Sequence, residues 1–264
     1  MTELSLAPEP LFADRRDAGR ALAAALVRER GPGVTVVGLA RGGVETAAEV
    51  ARALEAQLDV VAVRKIGHPW QPEYGIGAVT PGDGVYVRGA DGLTEEQVAA
   101  AVEETKAKAA LLDERLHARH PPLDLRSRTV VVVDDGLATG ATMVAALRWA
   151  RASGAARVVA AVPVGPAASV ELIRREADAV VCLQTPEPFF AVGAHYASFG
   201  QVDDAEVLRL LDEARRRRGA EAALPAADAG GAAIPPVSRD ELGAGVAERH
   251  GPIPAARGRR AARR

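Results

Sequence analysis

The chain has a single cysteine, Cys182, so no disulfide framework within it can hold the fold. That cysteine lies in the strand-like run AVVCL, where a buried, inert thiol is expected. No apolar run approaches the roughly 20 residues of a membrane span. The opening MTELSLAPEPLFADRRD lacks the basic-then-apolar order of a signal peptide. Charge of either sign is not in excess: the net value of −2 gives no overall pull toward nucleic acid or an anionic membrane. Aromatic residues are scarce, nine in all, and four of them (Phe189, Phe190, Tyr196 and Phe199) crowd into one stretch. Together these absences predict a soluble, cytoplasmic protein without specific nucleic-acid or membrane partners. A length of 264 residues allows one large domain or two small ones.

What is present is a repeated strand–loop–helix pattern. Leu11 to Arg28 reads as an amphipathic helix with Leu22, Ala23 and Leu26 on one face, Asp14 as its N-cap and Asp17 in its first turn. VTVVGL (34–39) reads as the first core strand, Ala40–Gly43 as a turn, and Val44 to Leu54 as a helix. A second strand spans Asp59 to Val63, ending in Arg64 and Lys65. The segment from Ile66 to Gly75 is a loop or hairpin, and two β-like runs (76–80 and 85–88) flank the turn signal PGDG. Thr94-Glu95-Glu96-Gln97 is a capping box that opens a long helix to about His117, its charges spaced for intrahelical pairs. His117 and His120 lack a third metal-ligating neighbour and suit a helix C-terminus. Strands at 157–162 and 179–183 and a helix at 167–176 continue the alternation. A last amphipathic helix runs from Asp203 to Arg218, capped by Asp203 or Asp204. Alternation of this kind implies a mostly parallel sheet flanked by helices, an α/β fold. Residues 1–218 form that domain. Residues 219–264, rich in Ala, Gly and Pro and ending in RGRRAARR, read as a disordered tail.

The chemistry concentrates in Val130 to Met143, VVVVDDGLATGATM. Four valines read as a strand buried on both faces. Two carboxylates, Asp134 and Asp135, stand at its end. Small and hydroxyl residues follow, then a helix, so backbone N–H groups and the positive end of a helix dipole face one point, as an anion requires. Acids repel a phosphate, so Asp134 and Asp135 suit hydroxyls or a divalent cation instead. A ligand with a phosphate beside a diol, such as a ribose 5-phosphate, fits both halves. Rival readings fail on residues: a P-loop needs a Lys after its glycine, and no G-x-G-x-x-G follows the first strand. A response-regulator-like Mg²⁺ site would leave the ATGAT loop without a purpose.

VVVVDDGLATGATM resembles the PRPP-binding signature of type I phosphoribosyltransferases. The resemblance implies that Asp134 and Asp135 contact the ribose 2′- and 3′-hydroxyls and touch Mg²⁺ only indirectly, through those hydroxyls or water. It implies that Ala138, Thr139, Gly140, Ala141 and Thr142 hold the 5-phosphate. Some members, such as the hypoxanthine-guanine enzymes, carry a loop acid that serves as a base toward the purine; here the position is Ala138, so that role is not carried over. The loop after the first strand, with Arg41, Gly42 and Gly43, corresponds to the family's pyrophosphate loop, which often contains a cis peptide. Arg64 and Lys65 suit the same pyrophosphate by charge and place. RKIGHPWQPEYGIGAV is similar to stand-alone phosphoribosyltransferase-like proteins rather than to purine and pyrimidine salvage enzymes. It implies a β-hairpin lid in which His68 and Glu73 are candidates for proton transfer and Trp70 and Tyr74 for packing. The late aromatic stretch reads either as a satellite core under a loop or, as the resemblance implies, as a small C-terminal hood with Phe189 or Phe190 stacking on an acceptor.

The expected activity is Mg²⁺-dependent transfer of the 5-phosphoribosyl group from PRPP to a nitrogenous base or similar nucleophile, releasing pyrophosphate. Two other readings stay open at this point. One is a non-catalytic PRPP or nucleotide sensor on the same fold; the other is a hydrolase or phosphotransferase acting on a sugar phosphate at the acid pair. A homodimer also remains open.

Overall fold

Alternate burial in Val130–Val133 divides the core in two. All four side chains are fully buried, Val130 and Val132 against one layer of helices and Val131 and Val133 against the other. Each such burial is worth about 1.5–3 kcal/mol, and a strand can do this on both faces only inside a three-layer sandwich. The structure, a computed structural model, describes residues 9–223. The expected tail therefore lies outside the described residues except at its start. The last helix continues to Ala223, past the expected end at Arg218, because EARRRRGAEAA contains no breaker but Gly219.

The main sheet has five parallel strands in the order β2-β1-β6-β7-β8. They are β1 (Val34–Ala40), β2 (Gln57–Ala62), β6 (Thr129–Val133), β7 (Arg157–Val164) and β8 (Ala179–Gln184). Helices α1 (Arg15–Ala25), α2 (Gly43–Leu54), the C-terminal half of α3 (Glu95–Leu116) and α6 (Asp204–Ala223) cover one face. Helices α4 (Ala141–Ala152) and α5 (Ala167–Ile173) cover the other. This is the expected α/β architecture. From β1 the chain turns one way to β2, whereas from β6 it turns the other way to β7 and β8. The order reverses between β1 and β6, so the crevice at their carboxyl ends is the topological switch point where ligands bind in open α/β sheets.

Local signals behave as their chemistry dictates. Asp14 accepts a hydrogen bond from the Asp17 N–H at the start of α1, and Thr94 and Gln97 form the full capping box of α3. α1 is shorter than the expected 11–28, with a 3₁₀ turn at Val27–Glu29, and Leu11 is exposed. The segment after β2 forms a separate antiparallel sheet of β3 (Arg64–His68), β4 (Gln71–Val79) and β5 (Val85–Val87). Arg64 and Lys65 therefore belong to the first strand of a hairpin rather than to the end of β2. Cys182 is half-buried and its thiol donates to the Gln184 carbonyl, while burial pushes its pKa up, away from the reactive range.

The histidines at the end of α3 take carboxylates rather than merely facing the helix dipole. His120 pairs with Asp212 at 2.6 Å. His117 Nε2 lies 3.1 Å from Asp59 Oδ1, and its Nδ1 lies 3.2 Å from Asp113 Oδ2. Burial alone would depress the imidazolium, but the hydrogen bonds and charges of Asp113 and Asp59 outweigh it and raise its pKa to about 10. A folded-state value above the unfolded one, about 6.5, makes the pair stabilising below the latter and progressively less so as pH rises through the former. We expect the urea midpoint of the wild type to fall between pH 6.5 and about 10, and His117→Gln to lose that part of the decline. Parallel profiles for the two proteins would remove His117 as its source.

Candidate active site

Two strand ends meet at the switch point. After β1 the chain runs through Arg41 and Gly42 into α2, and the Ala40–Arg41 peptide is cis. After β6 come Asp134 and Asp135. A methyl group added at Gly43 would lie 2.8 Å from Asp134 Oδ1 and 2.9 Å from both the Asp134 Cα and the Val133 carbonyl oxygen. One added at Gly42 would overlap Asp135 Oδ2 and lie 3.1 Å from Arg15 Nε. Only glycine lets the first turn of α2 press against the acid pair. The expected pyrophosphate loop and the acid pair are thus in direct contact.

The acids are not equivalent. Asp134 Oδ1 accepts the Asp135 N–H at 2.9 Å. Burial, and then the charge of Asp135, push the Asp134 pKa well up, against the opposing pull of Lys65 and Arg15. Asp135 also lies high because of burial, and Arg15 counteracts that. Two carboxylates so close in a low-dielectric site disfavour full double ionisation unless cations attend them.

Arg15 is the attending cation within the protein. It lies in the first turn of α1, with a side chain only 8% exposed. Its Nε donates to Asp135 Oδ2 at 2.7 Å and its Nη1 to the Gly200 carbonyl at 2.7 Å. The guanidinium carbon lies 3.8 Å from the Phe199 ring centroid, a cation–π contact. Glu45 adds a carboxylate at 3.7 Å. Tyr196, stacked on Phe12 and Phe199, donates its hydroxyl to the Asp135 carbonyl at 2.6 Å. Sequence reasoning missed Arg15 and its link to the late aromatics. One signal was visible: arginine in the first turn of a helix opposes the dipole and needs a compensating partner.

The residues expected to hold a phosphate lie in the loop between β6 and α4 and in the first turn of that helix. Gly140 takes φ +80° as the N-cap of α4, a conformation that favours glycine. Leu137 N–H donates to the Val164 carbonyl and the Ser169 hydroxyl to the Ala138 carbonyl, which fixes the loop from below. Ala138 and Thr139 are exposed at the rim, Thr142 is half-buried, and Ala141 begins the helix. Gly140 offers no side chain to the first-turn amides, and Ala141 N–H lies a long 3.5 Å from Thr139 Oγ1.

The other predicted residues spread over the rim. Lys65 is near enough for its charge to act on Asp134. Arg41 turns its Nε to Asp204 Oδ1 at 2.5 Å, toward the start of α6. Arg64, His68 and Lys65 line a cavity between the hairpin and α3. Trp70 and Tyr74 pack on the His68 ring, with centroids at 5.4 and 6.2 Å, yet stay exposed at the hairpin end, and Glu73 is exposed beside them. Of the two phenylalanines expected in a hood, Phe189 packs on His195 at 5.0 Å, whereas Phe190 is 78% exposed.

The family model of the phosphoribosyl transferase domain matches residues 13–198. The chain belongs to the phosphoribosyltransferase family. Two Mycobacterium tuberculosis proteins, "Putative phosphoribosyl transferase MT0597" of strain CDC 1551 / Oshkosh and "Putative phosphoribosyl transferase Rv0571c" of strain H37Rv, are each 45% identical to it over 251 residues. The match covers 93% of this chain and 54% of each relative, so the chain spans about half the length of those relatives. The crystal structure of TT1426 from Thermus thermophilus shares 42% identity and a TM-score of 0.66, covering 76% of this chain and 98% of that one. Among the described residues, no helix is long and apolar enough to cross a membrane.

Proposed function

We propose that the chain transfers a 5-phosphoribosyl group from PRPP to a nitrogen nucleophile, with the ribose held over Asp134 and Asp135 and its phosphate in residues 138–142. The observation that carries this reading is the contact of Gly42–Gly43 with the acid pair at the switch point. It brings a second backbone loop beside the ribose position, where the leaving pyrophosphate would lie. Lys65 stands on the same rim, with Arg41 and Arg64 as more distant cations.

In this reaction the bond from ribose C1 to the pyrophosphate oxygen breaks and its electron pair leaves with pyrophosphate. The acceptor nitrogen supplies the pair for the new C1–N bond and gives up its proton. Positive charge develops on the ring, as in glycosidic cleavage, and the acid pair below it favours that charge. No protein nucleophile is required. Mg²⁺ suits this site because it is usually held by one or two carboxylates together with substrate phosphates rather than by an all-protein cage. When bound, it would neutralise the leaving pyrophosphate, with Asp134 and Asp135 holding it through ribose hydroxyls or water. Arg15 acts one step back from the ligand, keeping Asp135 ionised and aimed. Phe190 is the better placed of the two candidates for contact with an acceptor. All of these residues fall within the expected domain, 1–218.

Calorimetric titration with Mg-PRPP, followed by pyrophosphate release with a panel of nucleobases, tests the proposal. We expect saturable binding that weakens by about tenfold or more in Asp134→Asn and in Asp135→Asn, as the loss of charge-assisted hydrogen bonds implies. Unchanged affinity in both variants would remove the acid pair from the site. Binding without consumption of any base would leave a sensor rather than a transferase.

A further inference from the structure

The two edges of the main sheet are finished differently. At β2 the edge is closed: Leu58 to Ala62 are buried, the Ala62 N–H meets Asp113 of α3, and Asp59 accepts the Leu123 N–H. At β8 it is open. Ala179 to Leu183 are all half-buried, and Gln184 is exposed. The strand AVVCLQ carries none of the usual guards of an edge: no charge, no proline, and a constant register with β7. Among the described residues, no strand lies on its outer side.

Two hydrogen bonds fix the direction of its spare backbone groups. Asp178 N–H donates to the Val158 carbonyl, and the Gln184 carbonyl accepts the Gly165 N–H, both on the β7 side. In a strand the N–H and C=O of one residue point the same way, and successive residues alternate. Residues 178, 180, 182 and 184 therefore serve β7. Ala179, Val181 and Leu183 turn their N–H and C=O groups outward, where they call for a partner.

The strand is complementary to itself. With Val181 on a two-fold axis and the strands antiparallel, Val181 exchanges both hydrogen bonds with its equivalent, and Ala179 does so with Leu183 at either end. No other antiparallel register uses all three residues. Small Ala179 then lies opposite large Leu183 on one face, and Val180 opposite Cys182 on the other. The charges agree. Arg175 is exposed before the strand and Glu187 is exposed after it, at equal distances in sequence from Val181. Their neighbours are already paired, Arg174 with Glu171, Glu176 with Arg148 and Asp178 with Arg151. Neither Arg175 nor Glu187 has an ion-pair partner among the described residues. Antiparallel pairing brings the Arg175 end of one copy to the Glu187 end of the other, twice over, whereas a parallel partner would set like ends together.

We infer that the β8 edge is an interface with a second copy of this chain, paired antiparallel across a two-fold at Val181 so that the two five-stranded sheets become one.

Two measurements on the full chain test this. Sedimentation over a range of concentrations should show a dimer that dissociates on dilution, because one edge strand makes a small interface. Arg175→Glu and Glu187→Arg should each raise the dissociation constant about tenfold, since each turns both symmetry-related attractions into repulsions. The double variant Arg175→Glu/Glu187→Arg should restore it. Both side chains are exposed, so the swaps leave the core intact. Cross-linking in a Cys182→Ser background reads the register. Val181→Cys places thiols on residues whose Cα atoms lie about 5.5 Å apart, within disulfide reach, and should join two copies under oxidised glutathione. Ala179→Cys should not, because it faces Leu183. A monomer at every concentration overturns the inference, whether the edge stays bare or another segment of the chain covers it. A dimer that ignores the charge swaps, fails to cross-link through Val181→Cys or does so equally through Ala179→Cys overturns it too, because the copies would then meet elsewhere.

Discussion

Arg15→Gln should destabilise the protein by about 3 kcal/mol, the lower end of the range for removing one partner of a buried ion pair. The lower end applies because Asp135, whose pKa burial already raises, can take up a proton instead of staying charged and unpaired. Three further contacts go with the guanidinium: the Gly200 carbonyl, the Phe199 ring and the Glu45 carboxylate. Arg15→Lys keeps the charge but cannot reproduce the planar fork or the stacking, so it should recover only part of the loss. Urea denaturation of the three proteins measures this. PRPP affinity should fall as well, and through Asp135. In a double-mutant cycle, Arg15→Gln should therefore weaken Mg-PRPP binding far less once Asp135 is already Asn. Additive effects would mean that Arg15 acts on the ligand by some other route.

The second large effect is expected at Gly43. A Cβ there meets the Asp134 Cα and the Val133 carbonyl oxygen, both backbone atoms of the central strand and its end. These cannot turn aside, so Gly43→Ala should cost about 1–3 kcal/mol of stability by overpacking. It should also abolish measurable PRPP binding by prising α2 off the acid pair. Gly42→Ala is a sharper probe, because its Cβ meets only side-chain atoms, the Asp135 carboxylate and the Arg15 guanidinium. Those atoms can move. Stability should then fall less than for Gly43→Ala, while PRPP affinity drops because the Arg15–Asp135 pair is pushed out of place. Equal thermal midpoints for the two variants would show that the loop gives way as a whole. Calorimetry and thermal melts on the pair decide it.

Much of the site could be read from residues because its logic is local. The acid pair ends a valine strand, and the glycine and hydroxyl residues after it open a helix. Each of those interactions spans only a few positions, so composition and order carry it. The same holds for the Asp14 cap and the Thr94–Gln97 capping box. The hairpin was foreseen only in part. Arg64 and Lys65 look like the end of β2 in the sequence, yet Val63 separates β2 from a new strand that pairs with β4 instead. Strand propensity says that a run is extended, not which partner it takes.

What the sequence by itself determined was the α/β alternation, the family and the segment that carries the acid pair and the glycine- and threonine-bearing loop after it. Tertiary structure alone decided that Arg15, 120 residues away from Asp135, is its counter-ion. It also decided that Phe199 and Gly200 hold that arginine, and that a cationic cavity opens under the hairpin. The physical reason is reach. Capping, turn and strand signals act through the backbone over one or two turns, whereas the pairing of buried charges and the gaps between layers depend on which surfaces packing brings together.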